Sequence, residues 1–330
     1  MKIKLQELEQ TTKNAILSYG YTNSEADEIL QVLLYAQMRG SNQGVVKLIG
    51  SGIPKPSDVR EIKIEKDTKL SAIVNGGKNH AMVVVNRAVD IALEKAKAHG
   101  MSLVGVNSVN TSSGALGFYA RKIAQAGMVG LVFAGSSETV SAHGSYEPIF
   151  GTNPIAIGVP TKEKPLVLDM ATAAMAYFGV IEAKTAGRTL PKDIAYDKDG
   201  NLTSDPEKVL DDGALRPFDK GYKGSGLSMM VQILTGPLVG ASFTGIGDVA
   251  NNWSGHLVIV FDPELLGGLE VLQTGVSQMI EKVKSTKKLP GVEEILVPSE
   301  RGDALTEAVL SSGEIEIEDN LYQQLTNLRS

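Results

Sequence analysis

Helical and extended hydrophobic patterns alternate along the chain. Thr22 and Glu25 have the spacing of a capping box, and Ile29, Leu30, Leu33, Leu34 and Met38 follow at helical intervals, with Gly40 as a stop. A polar turn, Arg39–Gly44 (RGSNQG), and a loop, Ile53–Asp58, come next. Residues 61–69 alternate charge with isoleucine, which predicts an exposed strand, and residues 71–74 predict a short one. Residues 80–98 put Val85, Ala88, Val89, Ala92, Leu93 and Ala96 on one side of a helix, with Gly100 beyond its end. A strand at 102–107, a polar loop at 108–113, a helix at 114–126 and a strand at 129–134 read as a βαβ unit.

The middle is turn-rich. Residues 151–160 (GTNPIAIGVP) and 165–173 (PLVLDMATA) set small and polar residues beside short apolar strands, and Asp197–Asn201 (DKDGN) signals a turn. Residues 226–240 predict a buried helix, 256–261 a buried strand and 269–284 an amphipathic helix, before an acidic and then polar tail at 312–330.

Composition narrows the class. The 330 residues suggest about two domains at roughly 150 residues each. A 42% apolar and 21% charged content is that of a globular protein. With no cysteine, disulfides, zinc–thiolate sites, iron–sulfur clusters and a thiol nucleophile are excluded, and no metal site is expected. The net charge of −6 leaves no basic excess for nucleic acid. The apolar run Gly127–Gly135 is about half of a membrane span. The first ten residues are polar, so no signal peptide is expected. These features predict a cytoplasmic protein with neither nucleic acid nor membrane as partner. The 35 glycines and 5% aromatics fit an α/β protein with close backbone approaches to a ligand.

Common catalytic motifs are missing: there is no P-loop, H-E-x-x-H, G-x-S-x-G or G-x-G-x-x-G. Of the four histidines, His99 lies beside a helix-ending glycine, His256 begins an apolar strand and His80 opens a helix, all positions that suit structural roles. His143, among small residues (SAHGS), has room to reach a ligand. Thr111–Gly114, Gly135–Ser137 and Gly151–Pro154 offer hydroxyl and backbone donors to a phosphate, although each alone suits an ordinary turn. Lys223, in GYKGSG, could neutralise a phosphate or carboxylate, or be a solvated surface lysine.

At these stretches the chain resembles the malate/lactate dehydrogenase type 2 family, which includes ureidoglycolate, sulfolactate and diketogulonate dehydrogenases and a cyclic-imine reductase branch. The matching blocks are GFYARKIAQAGMVGLVFAGS (117–136), GTNPIAIGVP (151–160), LDMATAA (168–174), LPKDIAYDKDGNLTSDP (190–206), GALRPFDKGYKGSGL (213–227) and GHLVIVFDPELLG (255–267). The resemblance implies an α/β (α+β) fold. A non-Rossmann NAD(P)-binding domain at residues 73–255 would have a largely antiparallel sheet, so the βαβ reading would mislead. A discontinuous, mainly helical substrate and dimerisation domain would come from residues 1–72 and 256–330. It also implies a homodimer with shared active sites. NAD or NADP would lie along Ser112, Ser113, Gly114, Ala115, Ser136, Gly144, Thr152, Asn153, Pro154, Asp169, Met170, Ala171 and Thr172, with Lys223 nearby. A small-molecule carboxylate substrate would meet Arg39 or Lys47.

The departures bear on the chemistry. The family's arginine-glycine turn continues to serine-histidine-glycine, whereas this turn is one residue shorter and carries Gln43 in place of the catalytic histidine. A second family histidine falls on Ser112, and a lysine after the DMAT block falls on Gly179. Reducing a ketone creates an alkoxide, and a positioned acid contributes about 10²–10⁴-fold. Glutamine cannot give up a proton at neutral pH. A protonated imine needs no such acid, because hydride neutralises an existing cation. Asp197, which matches an aspartate of the family, and His143 are the remaining titratable candidates beside Gln43 and Ser112. The expected activity is NAD(P)H-dependent reduction of a small 2-oxo or 2-imino acid. A nucleotide-binding protein without turnover, or an unrelated enzyme of a phosphate ligand, are the alternatives.

Overall fold

A computed structural model describes every residue except Ser51, Asn110, Asn251, Trp253, Arg329 and Ser330. Asn110 belongs to the expected loop at 108–113 and lies outside the described residues. The chain opens with β1 (Lys2–Lys4), α1 (Leu5–Ser18) and α2 (Asn23–Met38). The Thr22–Glu25 capping box is formed in full at the start of α2. The exposed strand β2 (Lys63–Asp67) pairs with β3 (Ser71–Asn75). Then come α3 (Ala81–His99), β4 (Met101–Val109), α4 (Leu116–Gln125) and β5 (Val129–Ala134). Short strands β6 (Val140–Ser141) and β7 (Pro148–Phe150) lead to β8 (Ile155–Val159) and β9 (Leu166–Met170). These are followed by α5 (Tyr177–Thr185), β10 (Ala195–Tyr196), α6 (Pro206–Leu210), β11 (Ala214–Leu215) and α7 (Tyr222–Thr235). The chain closes with β12 (Ser254–Phe261), α8 (Leu269–Lys284), α9 (Glu300–Ser312), β13 (Glu314–Glu316) and α10 (Asp319–Asn327).

The main sheet has the order β2-β3-β4-β12-β5-β8-β9. Every neighbouring pair is antiparallel except β3–β4, joined by α3 as a right-sized βαβ crossover. The strand–helix–strand read at 102–134 is a genuine crossover between parallel strands, but β12 inserts between them and pairs antiparallel with both. A strand more than 100 residues away in sequence thus converts a βαβ pattern into an antiparallel sheet.

β12 lies at the centre of this sheet and β2 at its edge, so the sheet crosses both expected segment boundaries, at 72/73 and 255/256. One core joins α1, α2, α3 and α10 to the sheet, with Leu8, Ile29, Leu33, Val85, Val104, Val258 and Leu325 all buried in it. β1 and β13 pair, tying the two chain ends together. A smaller sheet, β10-β11-β6-β7, packs its own core around Val140, Val180, Ala195 and Leu215.

The helix expected at 226–240 begins earlier, at Tyr222, ends at Thr235, and is buried on one face only. Leu227, Met229, Met230 and Ile233 are exposed. Among the described residues, no helix is long and apolar enough to cross a membrane.

Candidate functional site

Five segments converge beside the main sheet. They are Gln43 after α2, Thr111–Gly114 after β4, Ala134–Thr139 after β5, Thr152 and Pro154 before β8, and Tyr177 and Phe178 in the first turn of α5. They line a cavity of about 80 Å³ with hydroxyl-bearing side chains and two aromatic residues. Tyr177 and Phe178 stand edge to face, with centroids 6.4 Å apart.

The loops are held by buried polar contacts. Ser136 Oγ accepts the Thr152 N–H at 2.9 Å. Gly151 leaves no room for a side chain, because a Cβ there would lie 2.3 Å from the Ser136 carbonyl oxygen. Asn153, fully buried and left-handed at φ +38°, donates from Nδ2 to the Ser228 carbonyl at 3.0 Å and to Gln232 Oε1 at 2.8 Å. Thr172 Oγ1 donates to the Thr152 and Asn153 carbonyls at 3.1 Å. On the opposite wall, Tyr119 OH donates to the Ser113 carbonyl at 2.8 Å, and Thr111 Oγ1 accepts the Ala81 N–H at 2.7 Å.

The structure brings Gln43, Ser112, Ser113, Gly114, Ser136, Thr152 and Pro154 onto one cavity. Lys47 lies directly behind Ser112, its Nζ donating to Ser112 Oγ at 2.8 Å. Other expected site residues lie elsewhere. Arg39 is committed to Asp303, which also binds Arg121 at 2.8 Å, and its guanidinium rests 4.9 Å from the Tyr35 ring centroid. It clamps α9 to α2 and does not face the cavity. Asp169 accepts the Gly117 N–H at 2.7 Å at the start of α4, and shares with Ala115 and Arg39 a second depression. Asn153 and Thr172 turn inward as staples and do not line the cavity. Met170 ends β9 and Ala171 packs on the smaller core.

His143 and Gly144 are exposed on the β6–β7 loop, where the His143 N–H donates to Ser225 Oγ at 3.0 Å. Asp197 Oδ1 accepts the N–H groups of Asp199 and Asn201 at 3.0 and 2.9 Å, so it builds the turn at 197–201. Lys223 is exposed in the first turn of α7. The glycine-rich start of that helix is filled by its own carboxylate, since Asp219 Oδ1 accepts the Gly221 and Gly224 N–H groups at 2.9 and 3.0 Å.

Sequence reasoning missed Tyr177, Phe178 and Thr139 as lining residues. An adjacent aromatic pair in a chain with 5% aromatics was the available signal. His80 and His256 are buried and structural. His80 Nδ1 accepts the Met82 N–H at 3.2 Å to cap α3, and His256 sits inside β12. Burial pushes both imidazoles down to about 3. Gly179 is in contact with Asn42, whose Nδ2 would lie 2.5 Å from a Cβ there. Among the described residues, no cluster of three or more His, Asp or Glu could hold a metal ion. A lining of hydroxyls and aromatic rings suits a polar ring ligand, and Thr139 Oγ1, among these residues, is buried without a partner.

The malate/L-lactate dehydrogenase family model matches residues 3–326. L-sulfolactate dehydrogenase of Methanothermobacter thermautotrophicus is 32% identical over 99% of this chain and 96% of its own length. The Δ1-pyrroline-2-carboxylate/Δ1-piperideine-2-carboxylate reductase of Pseudomonas putida is 34% identical over 79% of this chain and 77% of its own. The solved malate dehydrogenase of Pyrococcus horikoshii OT3 superposes with a TM-score of 0.86 at 29% identity, covering 99% of this chain and 94% of that one.

Proposed function

The chain belongs to the malate/L-lactate dehydrogenase family, and on that premise we propose that it interconverts a small 2-oxo acid and its 2-hydroxy acid with a nicotinamide nucleotide, NAD or NADP. The observation that carries this reading is the convergence of Gln43, Ser112, Ser136, Thr152, Tyr177 and Phe178 on one cavity. The nucleotide, when bound, supplies or accepts hydride. Phe178 and Tyr177 offer ring faces, and the hydroxyls of Ser136, Thr139 and Thr152 offer polar partners, the unpaired Thr139 Oγ1 among them. Gln43 orients a carbonyl through its amide but cannot protonate it. Lys47, bound to the lining residue Ser112, places a positive charge behind the cavity wall that attracts the substrate carboxylate.

A second reading, reduction of a cyclic 2-imino acid, is favoured by a specific feature. Among the described residues no imidazole lines the cavity, and a protonated imine accepts hydride without an acid. A homodimer is part of the proposal, supported by the apolar face that α7 exposes through Leu227, Met229, Met230 and Ile233.

Fluorescence titration with NADH and, separately, NADPH tests the cofactor assignment. Saturable binding at micromolar concentration, followed by turnover of oxaloacetate or Δ1-pyrroline-2-carboxylate, is the expected outcome. Binding of neither nucleotide would return the site to a different ligand.

A further inference from the structure

Lys47 is a buried cation for which fold stability offers no reason. It is 3% exposed and sits on the short 3-10 turn Val45–Leu48 that follows Gln43 and Gly44. Among the described residues no carboxylate pairs with it. Its Nζ contacts are Ser112 Oγ at 2.8 Å and the Phe178 ring, with the centroid 3.5 Å away. A lone buried ammonium is costly, so a fold that retains one without a counter-ion gains nothing from it in stability.

Ser112 Oγ also accepts the Gly114 N–H at 3.3 Å. With the Lys47 ammonium as second donor, both acceptor positions of the hydroxyl are taken. What remains to it is donation through its own O–H, and Ser112 lines the cavity beside Gln43 and Phe178.

Resting on the functional reading above, we propose that Lys47 and Ser112 form a proton relay that serves a 2-oxo acid in a cavity that no described imidazole lines. As the carbonyl carbon gains hydride, the C=O electron pair moves to oxygen. The Ser112 O–H bond breaks to protonate that oxygen, and a Lys47 N–H bond breaks to restore the serine proton. Lys47 ends as a neutral amine and takes a proton from solvent before the next cycle. Oxidation of the hydroxy acid runs the same transfers backwards.

The residue type suits this task. A guanidinium does not deprotonate in proteins, whereas an amine does when it is desolvated. Burial drives the Lys47 amine well below its ordinary range, while the Phe178 face and Ser112 favour the ammonium. The titratable groups around it do not compete near neutrality. His80, at the head of α3, is held at about 3. Glu25 of α2, bound to Lys55 at 2.8 Å, is lowered, and burial raises the Tyr177 hydroxyl of α5.

The test compares wild type with Ser112→Ala and Lys47→Arg. Ser112→Ala should slow oxaloacetate reduction by about 10²–10⁴-fold and slow reduction of Δ1-pyrroline-2-carboxylate by less than about tenfold. NADH affinity, measured by fluorescence on the same variant, separates a loss of nucleotide binding from a slowed chemical step. Lys47→Arg should remove a limb from the pH profile of kcat. A second readout needs no turnover. In ¹³C-lysine-labelled protein, the Lys47 Cε resonance, identified by its loss in Lys47→Arg, should titrate below the surface lysines. Equal slowing of both substrates by Ser112→Ala, an unchanged pH profile, or a Lys47 that titrates with the surface lysines would overturn the relay. Wild-type reduction of the imine alone overturns the relay and leaves the oxidoreductase reading standing; reduction of neither substrate overturns both.

Discussion

The two buried histidines make a quantitative prediction about acid stability. His80 and His256 are 2% and 1% exposed, and burial lowers each from its ordinary value to about 3. His80 Nε2 and His256 Nδ1 have no hydrogen-bond partner. In the unfolded chain both titrate near 6.5. Their native pKa is depressed, so between about 3 and 6.5 the unfolded state binds more protons and stability falls as pH falls. Each histidine contributes a slope of up to about 1.4 kcal/mol per pH unit in that window, and on the order of 5 kcal/mol across it. The stability is fully present above about pH 6.5. The carboxylates that are lowered in the native state, Glu25 and Glu300 among them, add a slope of the same sign only at lower pH. Burial raises the Asp169 carboxyl to about 6, so it adds a slope of the opposite sign below that pH, and urea unfolding at half-unit steps from pH 7 to pH 4.5 reads each imidazole by difference from its own variant. His256→Leu, which keeps the site in β12 apolar, should lower the slope by up to about 1.4 kcal/mol per pH unit relative to wild type. A variant profile parallel to that of wild type would refute the reasoning.

Asn153→Ala should cost about 2–4 kcal/mol by urea unfolding, from two lost hydrogen bonds and an alanine forced to positive φ. Asn153→Gly should be the milder change, opposite to the usual order of the two residues, because glycine accepts that backbone; a glycine variant less stable than the alanine one would contradict the account. Gly151→Ala drives a Cβ against the Ser136 carbonyl. It should cost about 1–3 kcal/mol and weaken NADH binding in a fluorescence titration, and unchanged affinity would separate Ser136 from the nucleotide. Met229→Glu with Met230→Glu, on the exposed face of α7, should convert a dimer to a monomer by light scattering, and a dimer that persists would move the interface elsewhere.

Local signals made the α/β character, most helices and the cavity loops legible. The capping box at Thr22, the amphipathic face of α3 and the hydroxyl–glycine stretches each depend on neighbours a few residues apart. What was illegible depends on partners far away. Arg39 looks available for a carboxylate until α9 folds Asp303 against it. Asn153 and Thr172 sit in the right loop, yet α7 and the neighbouring carbonyls draw their side chains inward. The glycine-rich start of α7 resembles an anion site, but Asp219 already occupies its N–H groups. β12 splits a pattern that every adjacent residue supports.

The positions at which the resemblance expects a lysine and two histidines lie close together. At Gly179, where it expects the lysine, the side chains of Asn42 and Met175 fill the space a side chain would need. Next to it, Phe178 packs on Lys47, and Lys47 reaches Ser112, where the resemblance expects a histidine. Gln43, where it expects the other, lines the same cavity. Of the described residues lining this cavity, Thr139 Oγ1 is the one buried side-chain polar atom without a partner. Unpaired buried polar groups cost about 1–3 kcal/mol each, so Thr139 Oγ1 is the atom on this wall that gains most from a bound hydrogen-bonding ligand.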